Sequence, residues 1–115
     1  MGMKIELHLH EEPFKKIKNG LKDIEYRVND EKRQKIKIGD IITFYKRPLE
    51  EEVINVIVTD LQYYPDLLSM YSATFEKDFR NIYKTPQDVV DDTPYYTKEE
   101  IEKYGCVAIY FKKIS

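Results

Sequence analysis

Hydrophobic and polar positions alternate from the start of the chain. Ile5, Leu7 and Leu9 interleave with Lys4, Glu6, His8 and His10, the period of a half-buried strand. Glu11-Glu12-Pro13 breaks the alternation. Proline is tolerated in a first helical turn and acidic residues there suit the helix dipole, so a short helix is predicted from Pro13 to about Lys18. Its apolar stripe is Phe14, Ile17 and Leu21, and Asn19-Gly20 supplies a left-handed stop. Alternation resumes in GLKDIEYRV, residues 20–28, with Ile24, Tyr26 and Val28 on one face and Asp23, Glu25 and Arg27 on the other. Asn29 to Gln34 reads as a turn or one helical turn, and Gly39-Asp40 as a tight turn into the next strand.

Two segments, 41–45 and 53–58, are rich in β-branched and aromatic residues without clean alternation, which predicts central strands covered on both sides. Lys46-Arg47-Pro48-Leu49-Glu50 joins them as a hairpin loop. From Pro65 to Tyr104 the spacing becomes helical, through Leu67, Leu68, Tyr71, Phe75, Phe79 and Ile82. Thr85-Pro86-Gln87-Asp88 is a helix start, and Thr97-Lys98-Glu99-Glu100 fits a capping box for a helix ending at Tyr104, with Gly105 as its stop. Cys106 to Phe111 closes the chain as a strand. Strands at both ends around a helical insertion predict an α+β domain on one curved sheet. A small β-barrel of about five to six strands, flanked by short helices, is the economical form, because an open sheet leaves two edges unpaired.

Composition narrows the class. A chain of 115 residues with 42% hydrophobic and 35% charged residues fits one globular domain, 1–115. No stretch approaches the ~18 apolar residues of a bilayer span and the N-terminus lacks the order of a secretory signal, so no membrane partner and a cytoplasmic location are expected. Cys106, within an apolar run, reads as a buried thiol. Net charge is −2, but residues 1–50 carry 12 Lys and Arg against 9 Asp and Glu. The basic side chains between Lys15 and Lys37 form either a solvated face or one attractive to phosphate. Proteins that grip duplexes through phosphates are strongly basic, so duplex DNA is not the expected partner; a small ligand or a short single strand fits better.

Little catalytic chemistry can be read from spacing alone. His8 and His10 share strand parity and could approach a metal with Glu6, Glu11 or Glu12, but two solvent-facing histidines give the same spacing, and no metal is expected. No phosphate-cradling glycine loop and no nucleophile elbow is present, and no cofactor is implied. Lys22, Glu25 and Arg27 are the constellation of interest. Glu25 and Arg27 share a face; Lys22 reaches it only if the chain is still turning after Gly20. Spacing alone favours an exposed ion pair over the polar floor of a cleft. Tyr95 and Tyr96 either cap the core or offer rings on which a base can stack.

Gly20-x-Lys22-x-x-Glu25-x-Arg27, followed by Ile36-Lys37-Ile38-Gly39-Asp40-Ile41-Ile42-x-Phe44, closely resembles the ASCH domain, a branch of the PUA-like superfamily. The resemblance extends to His10-x-x-Pro13-Phe14-x-x-Ile17 and to Tyr95-Tyr96-Thr97-x-Glu99-Glu100-x-x-x-Tyr104-Gly105-x-x-x-Ile109, and so covers nearly the whole chain. It implies a PUA-like β-barrel with the glycine-lysine-glutamate-arginine segment lining a cleft. It also implies RNA or a nucleotide-like small molecule as the partner, with Lys22, Glu25 and Arg27 in the site, His10 nearby, and Tyr95 and Tyr96 as stacking candidates. Lys22 and Arg27 would meet phosphate or carbonyl oxygens, and Glu25 would accept from an amino group of a base.

The alternative implied by the resemblance is an amidohydrolase acting on acetylated cytidine in the same cleft, with Lys22 and Glu25 as the catalytic candidates. Family members with that activity use the matching lysine, a threonine where Glu25 stands here, and a further glutamate from the helical region. No downstream glutamate of this chain can be assigned to that role, and the missing hydroxyl weighs against the activity.

Overall fold

The structure is a computed structural model and describes residues 4–49 and 51–114. In chain order the elements are β1 (Lys4–Leu9), α1 (Glu11–Lys18), β2 (Ile24–Val28), α2 (Glu31–Gln34), β3 (Ile41–Lys46), β4 (Val53–Tyr64), α3 (Leu67–Asp78), α4 (Pro86–Asp91), α5 (Lys98–Tyr104) and β5 (Cys106–Lys113). The fold is α+β and PUA-like, a five-stranded half-barrel sheet with several short helices. Strand order is β1-β3-β4-β5-β2. β1 and β3 run parallel, which requires a crossover, and the segment holding α1, β2 and α2 provides it.

Register explains the alternation in sequence. Ile5 lies opposite Ile42 and Leu7 opposite Phe44, while antiparallel pairing sets Phe44 against Ile54 and Ile42 against Val56. All of these side chains are buried. The opposite face is polar. There Thr43 donates to Asn55 Oδ1 at 2.6 Å, Tyr45 donates to Glu6 Oε1 at 3.0 Å, and the His8 and Tyr45 rings stack at 5.3 Å between centroids.

The chain forms two compact units: Met1–Glu25, Lys35–Leu61 and Ile109–Ser115 in the first, Tyr26–Gln34 and Gln62–Ala108 in the second. The core of the first includes Phe14 and Ile17 of α1, Ile24 and Ile36, and the Phe44 and Phe111 rings 5.5 Å apart. That of the second includes Leu67, Met70, Tyr71 and Val89, with Cys106, Val107 and Ala108.

Several elements depart from their sequence patterns. His10 leaves the first strand and becomes the N-cap residue of α1, which begins at Glu11, two positions before the predicted start. Leu21 is 75% exposed and no part of the α1 stripe, because the helix ends at Lys18 and the chain turns away. β3 is covered on both sides over Ile42, Thr43 and Phe44 as predicted, but β4 alternates, burying Ile54, Val56 and Val58, and continues to Tyr64. In α3 the buried stripe is Leu67, Met70, Tyr71 and Thr74, whereas Leu68 and Ile82 are exposed. The capping box predicted at Thr97 is formed, the helix start predicted at Thr85 is a capping box as well, and Cys106 is buried. Gly105 has φ +69, and a Cβ there would sit 2.9 Å from the Tyr64 carbonyl oxygen, so the α5–β5 junction admits glycine alone without a shift. The hairpin position Glu50 lies outside the described residues.

Candidate functional site

Lys22 and Glu25 are brought together by the way α1 ends. Gly20 adopts φ +75, and the amides of Leu21 and Lys22 both donate to the Lys16 carbonyl, at 2.7 and 3.1 Å. The chain is therefore still turning at Lys22, two residues before β2 begins. Lys22 Nζ lies 3.3 Å from Glu25 Oε1 and also donates to the Ile24 carbonyl oxygen. The side chains are only 14% and 7% exposed. This overturns the exposed ion pair that spacing favours. Ile24 and Glu25 are consecutive and both buried, so the start of β2 is covered on each face and parity does not send Glu25 to solvent. Removing two charges from water costs several kcal/mol per ion, roughly what their attraction returns. Such a pair is weak evidence for a stability role.

The other predicted residues are distributed. Arg27 is half-buried two positions along β2, in the second unit. His10 is exposed at the opposite end of α1 from Lys22. Eight helical residues rise ~12 Å, so His10 and the Lys22–Glu25 pair are separate features of the first unit. Tyr95 and Tyr96 belong to the second unit and pack edge to face, ring centroids 5.0 Å apart, with Tyr95 72% exposed.

His10 lines a cleft of about 380 Å³ together with Glu11, Arg47 and Pro48. A second cleft of about 230 Å³ shares Glu11, Arg47 and Pro48 and adds Lys46, Leu49, Glu51 and Glu52. The hairpin side is fixed in place: Arg47 N–H donates to the Leu9 carbonyl at 2.8 Å, and Lys46 N–H to that of Glu52 at 3.1 Å. Glu52 accepts from Lys46 and Lys18, both at 2.9 Å, and these hydrogen bonds hold its carboxyl down at about 2. The same hydrogen bond raises the Lys46 ammonium above its ordinary value. Glu11, Arg47 and Pro48 carry no motif in sequence. Glu11 is legible only as an acidic residue at a helix start and Arg47 and Pro48 only as part of the loop between two strong strands, and a parallel β1–β3 pairing is needed to set that loop beside His10.

The second unit carries a cluster of phenols. Tyr26 donates to Asp78, and its ring meets Tyr71 and Phe79 at 5.7 and 5.2 Å. Tyr83 donates to Asp92 Oδ2 at 2.5 Å, which pushes its hydroxyl up to about 12. Burial raises Tyr71 further and Cys106 to about 11, leaving that thiol neutral and unreactive. Among the described residues no group of three or more His, Cys, Asp or Glu could hold a metal ion. His8 is half-buried against Tyr45 while His10 has left the strand, so the parity that paired them does not persist. No helix of the described residues is long and apolar enough to cross a membrane.

An α+β sheet with this strand order and these short helices defines a PUA-like domain. The chain belongs to the ASCH domain family, whose model matches residues 7–115. It is similar to the crystal structure of hypothetical protein PH0355, with 34% identity over 97% of this chain and 100% of that one and a TM-score of 0.83. It is similar also to the solution structure of protein PF0455 from Pyrococcus furiosus, with 30% identity over 98% and 99% of the two chains and a TM-score of 0.72. The crystal structure of ASCH from Zymomonas mobilis shares the fold, at 15% identity over 95% and 66% of the chains and a TM-score of 0.60. No curated protein matches the chain.

Proposed function

We propose that this ASCH domain binds RNA or a nucleotide-like ligand, and that Lys22, Glu25 and Arg27 are the residues that recognise it. The observation that carries the reading is the buried Lys22–Glu25 pair at 3.3 Å. An ion pair that returns little stability for its desolvation is well suited to polar recognition, because its geometry is held before the ligand arrives. Lys22 offers ammonium donors to a phosphate or carbonyl oxygen. Glu25 offers a carboxylate oxygen to an exocyclic amino group of a base. Arg27, on the same strand parity as Glu25, adds a guanidinium suited to phosphate.

The test is binding of a short single-stranded RNA by the wild type, by Arg27→Ala, and by the double variant Lys22→Met/Glu25→Leu, which removes both buried charges together. Both variants should bind on the order of tenfold or more weakly. Arg27→Ala should also show a shallower dependence of affinity on salt, because one phosphate contact is lost. Wild-type affinity in both folded variants would refute the assignment.

A further inference from the structure

We infer that the cleft formed by His10, Glu11, Arg47 and Pro48 is a second subsite, for a nucleobase bearing an exocyclic amino group, so that the ligand is an RNA segment longer than one nucleotide. The inference rests on the nucleotide-binding reading above and extends it to the other end of α1. The cleft's volume, about 380 Å³, falls within the range of small-ligand sites. Its walls are chemically specific. The Arg47 guanidinium and the His10 imidazole are flat groups of the kind on which unpaired bases stack, and Pro48 adds an apolar surface. Glu11 contributes a carboxylate able to accept from an amino group, as acidic side chains do from cytosine N4.

Charge distinguishes a base from a phosphate here. A phosphate beside Arg47 would face Glu11 in the same cleft and Glu51 in the adjoining one. Glu11 is only loosely offset, by Lys15 at 3.5 Å in a solvent-exposed pair. A neutral heterocycle with amino donors meets no such repulsion. The subsite is also anchored on both sides. Arg47 N–H holds the Leu9 carbonyl, and the His10 carbonyl accepts from Phe14 N–H at 3.1 Å within the first helical turn. The ~12 Å rise of α1 is more than three times the ~3.4 Å that separates stacked nucleotides along a strand. A ligand that engages both this cleft and the Lys22–Glu25 pair is therefore inferred to be longer than one nucleotide.

The experiment compares a single-stranded RNA tetramer of cytidine and adenosine with cytidine monophosphate, titrated against the wild type, Arg47→Ala, Arg47→Lys, His10→Ala and Lys22→Met/Glu25→Leu. Arg47→Ala and His10→Ala should each weaken the tetramer about five- to 150-fold and leave the mononucleotide unchanged. Arg47→Lys should be as weak as Arg47→Ala, since an ammonium has no flat face to stack. Wild-type tetramer affinity in Arg47→Lys would show that charge suffices and would overturn the base subsite. Unchanged tetramer affinity in Arg47→Ala, with a loss in the Lys22/Glu25 double variant, would overturn this subsite alone. A wild type that binds neither ligand would overturn both readings together.

Discussion

Lys22 and Glu25 form an ion pair 3.3 Å long that is almost wholly out of water, across the junction where α1 gives way to β2. Its energetic signature follows from the asymmetry of buried charges. Lys22→Met leaves the Glu25 carboxylate buried with one cation fewer and should cost about 3 to 5 kcal/mol of unfolding free energy. Lys22→Met/Glu25→Leu removes both charges and should lie within about 1 kcal/mol of the wild type or above it. Urea denaturation of the three proteins measures this. Equal losses in the single and double variants would show that the pair contributes net stability, contrary to the functional reading.

Glu52 makes stability depend on acid. Its carboxyl titrates at about 2 in the fold against an ordinary 4.5, because Lys46 and Lys18 donate to the ionised form. A depressed carboxylate favours the fold above its unfolded value, so the contribution is complete above pH ~4.5 and is lost as pH falls toward 2. In Glu52→Gln this part of the acid dependence should vanish, and the melting temperatures of variant and wild type should converge as pH is lowered. Parallel curves from pH 6 to pH 2 would contradict the assignment.

Two glycines with positive φ should respond differently to alanine. Gly105, at φ +69, would place a Cβ 2.9 Å from a backbone oxygen, and Gly20, at φ +75, meets nothing within 4 Å. Gly20→Ala should cost about 1 to 2 kcal/mol, the strain of a left-handed residue. Gly105→Ala carries that strain and a clash with the Tyr64 carbonyl, so it should cost more by at least 1 kcal/mol, roughly the price of a forced backbone shift. Thermal melts of both variants decide the order.

Much of this architecture was legible in sequence because local rules and tertiary packing agree. The alternation of Ile5, Leu7 and Leu9 specifies a strand that buries those side chains, the caps at Thr85 and Thr97 each start a helix, and the apolar run around Cys106 forms a buried strand. Sequence failed where a neighbouring element overrides the period. Glu25 stands on the polar parity of β2, yet it is buried because that side of the strand is covered as well. Leu21 continues the α1 stripe in sequence, but Gly20 has already turned the chain. Arg47 and Pro48 gained a place in a cleft only through the parallel pairing of β1 and β3, a contact between segments some forty residues apart that no local pattern encodes.

The last expectation concerns hydrolysis. The family resemblance raises acetylated cytidine as a substrate, with the lysine matched by Lys22 and a threonine hydroxyl where this chain has Glu25. The structure sets the Glu25 carboxylate against Lys22 at 3.3 Å, with the side chain 7% exposed. A carboxylate engaged by an ammonium lacks the hydroxyl of the family's nucleophile. Incubation of the purified protein with acetylated cytidine should therefore release no acetate above the rate without protein, while the nucleoside can still compete with RNA for the site. Should acetate be released, Glu25→Gln distinguishes the origin. Loss of turnover in that variant would make Glu25 a general base and replace the binding reading with a hydrolytic one, whereas unchanged turnover would place the chemistry away from the Lys22–Glu25 pair.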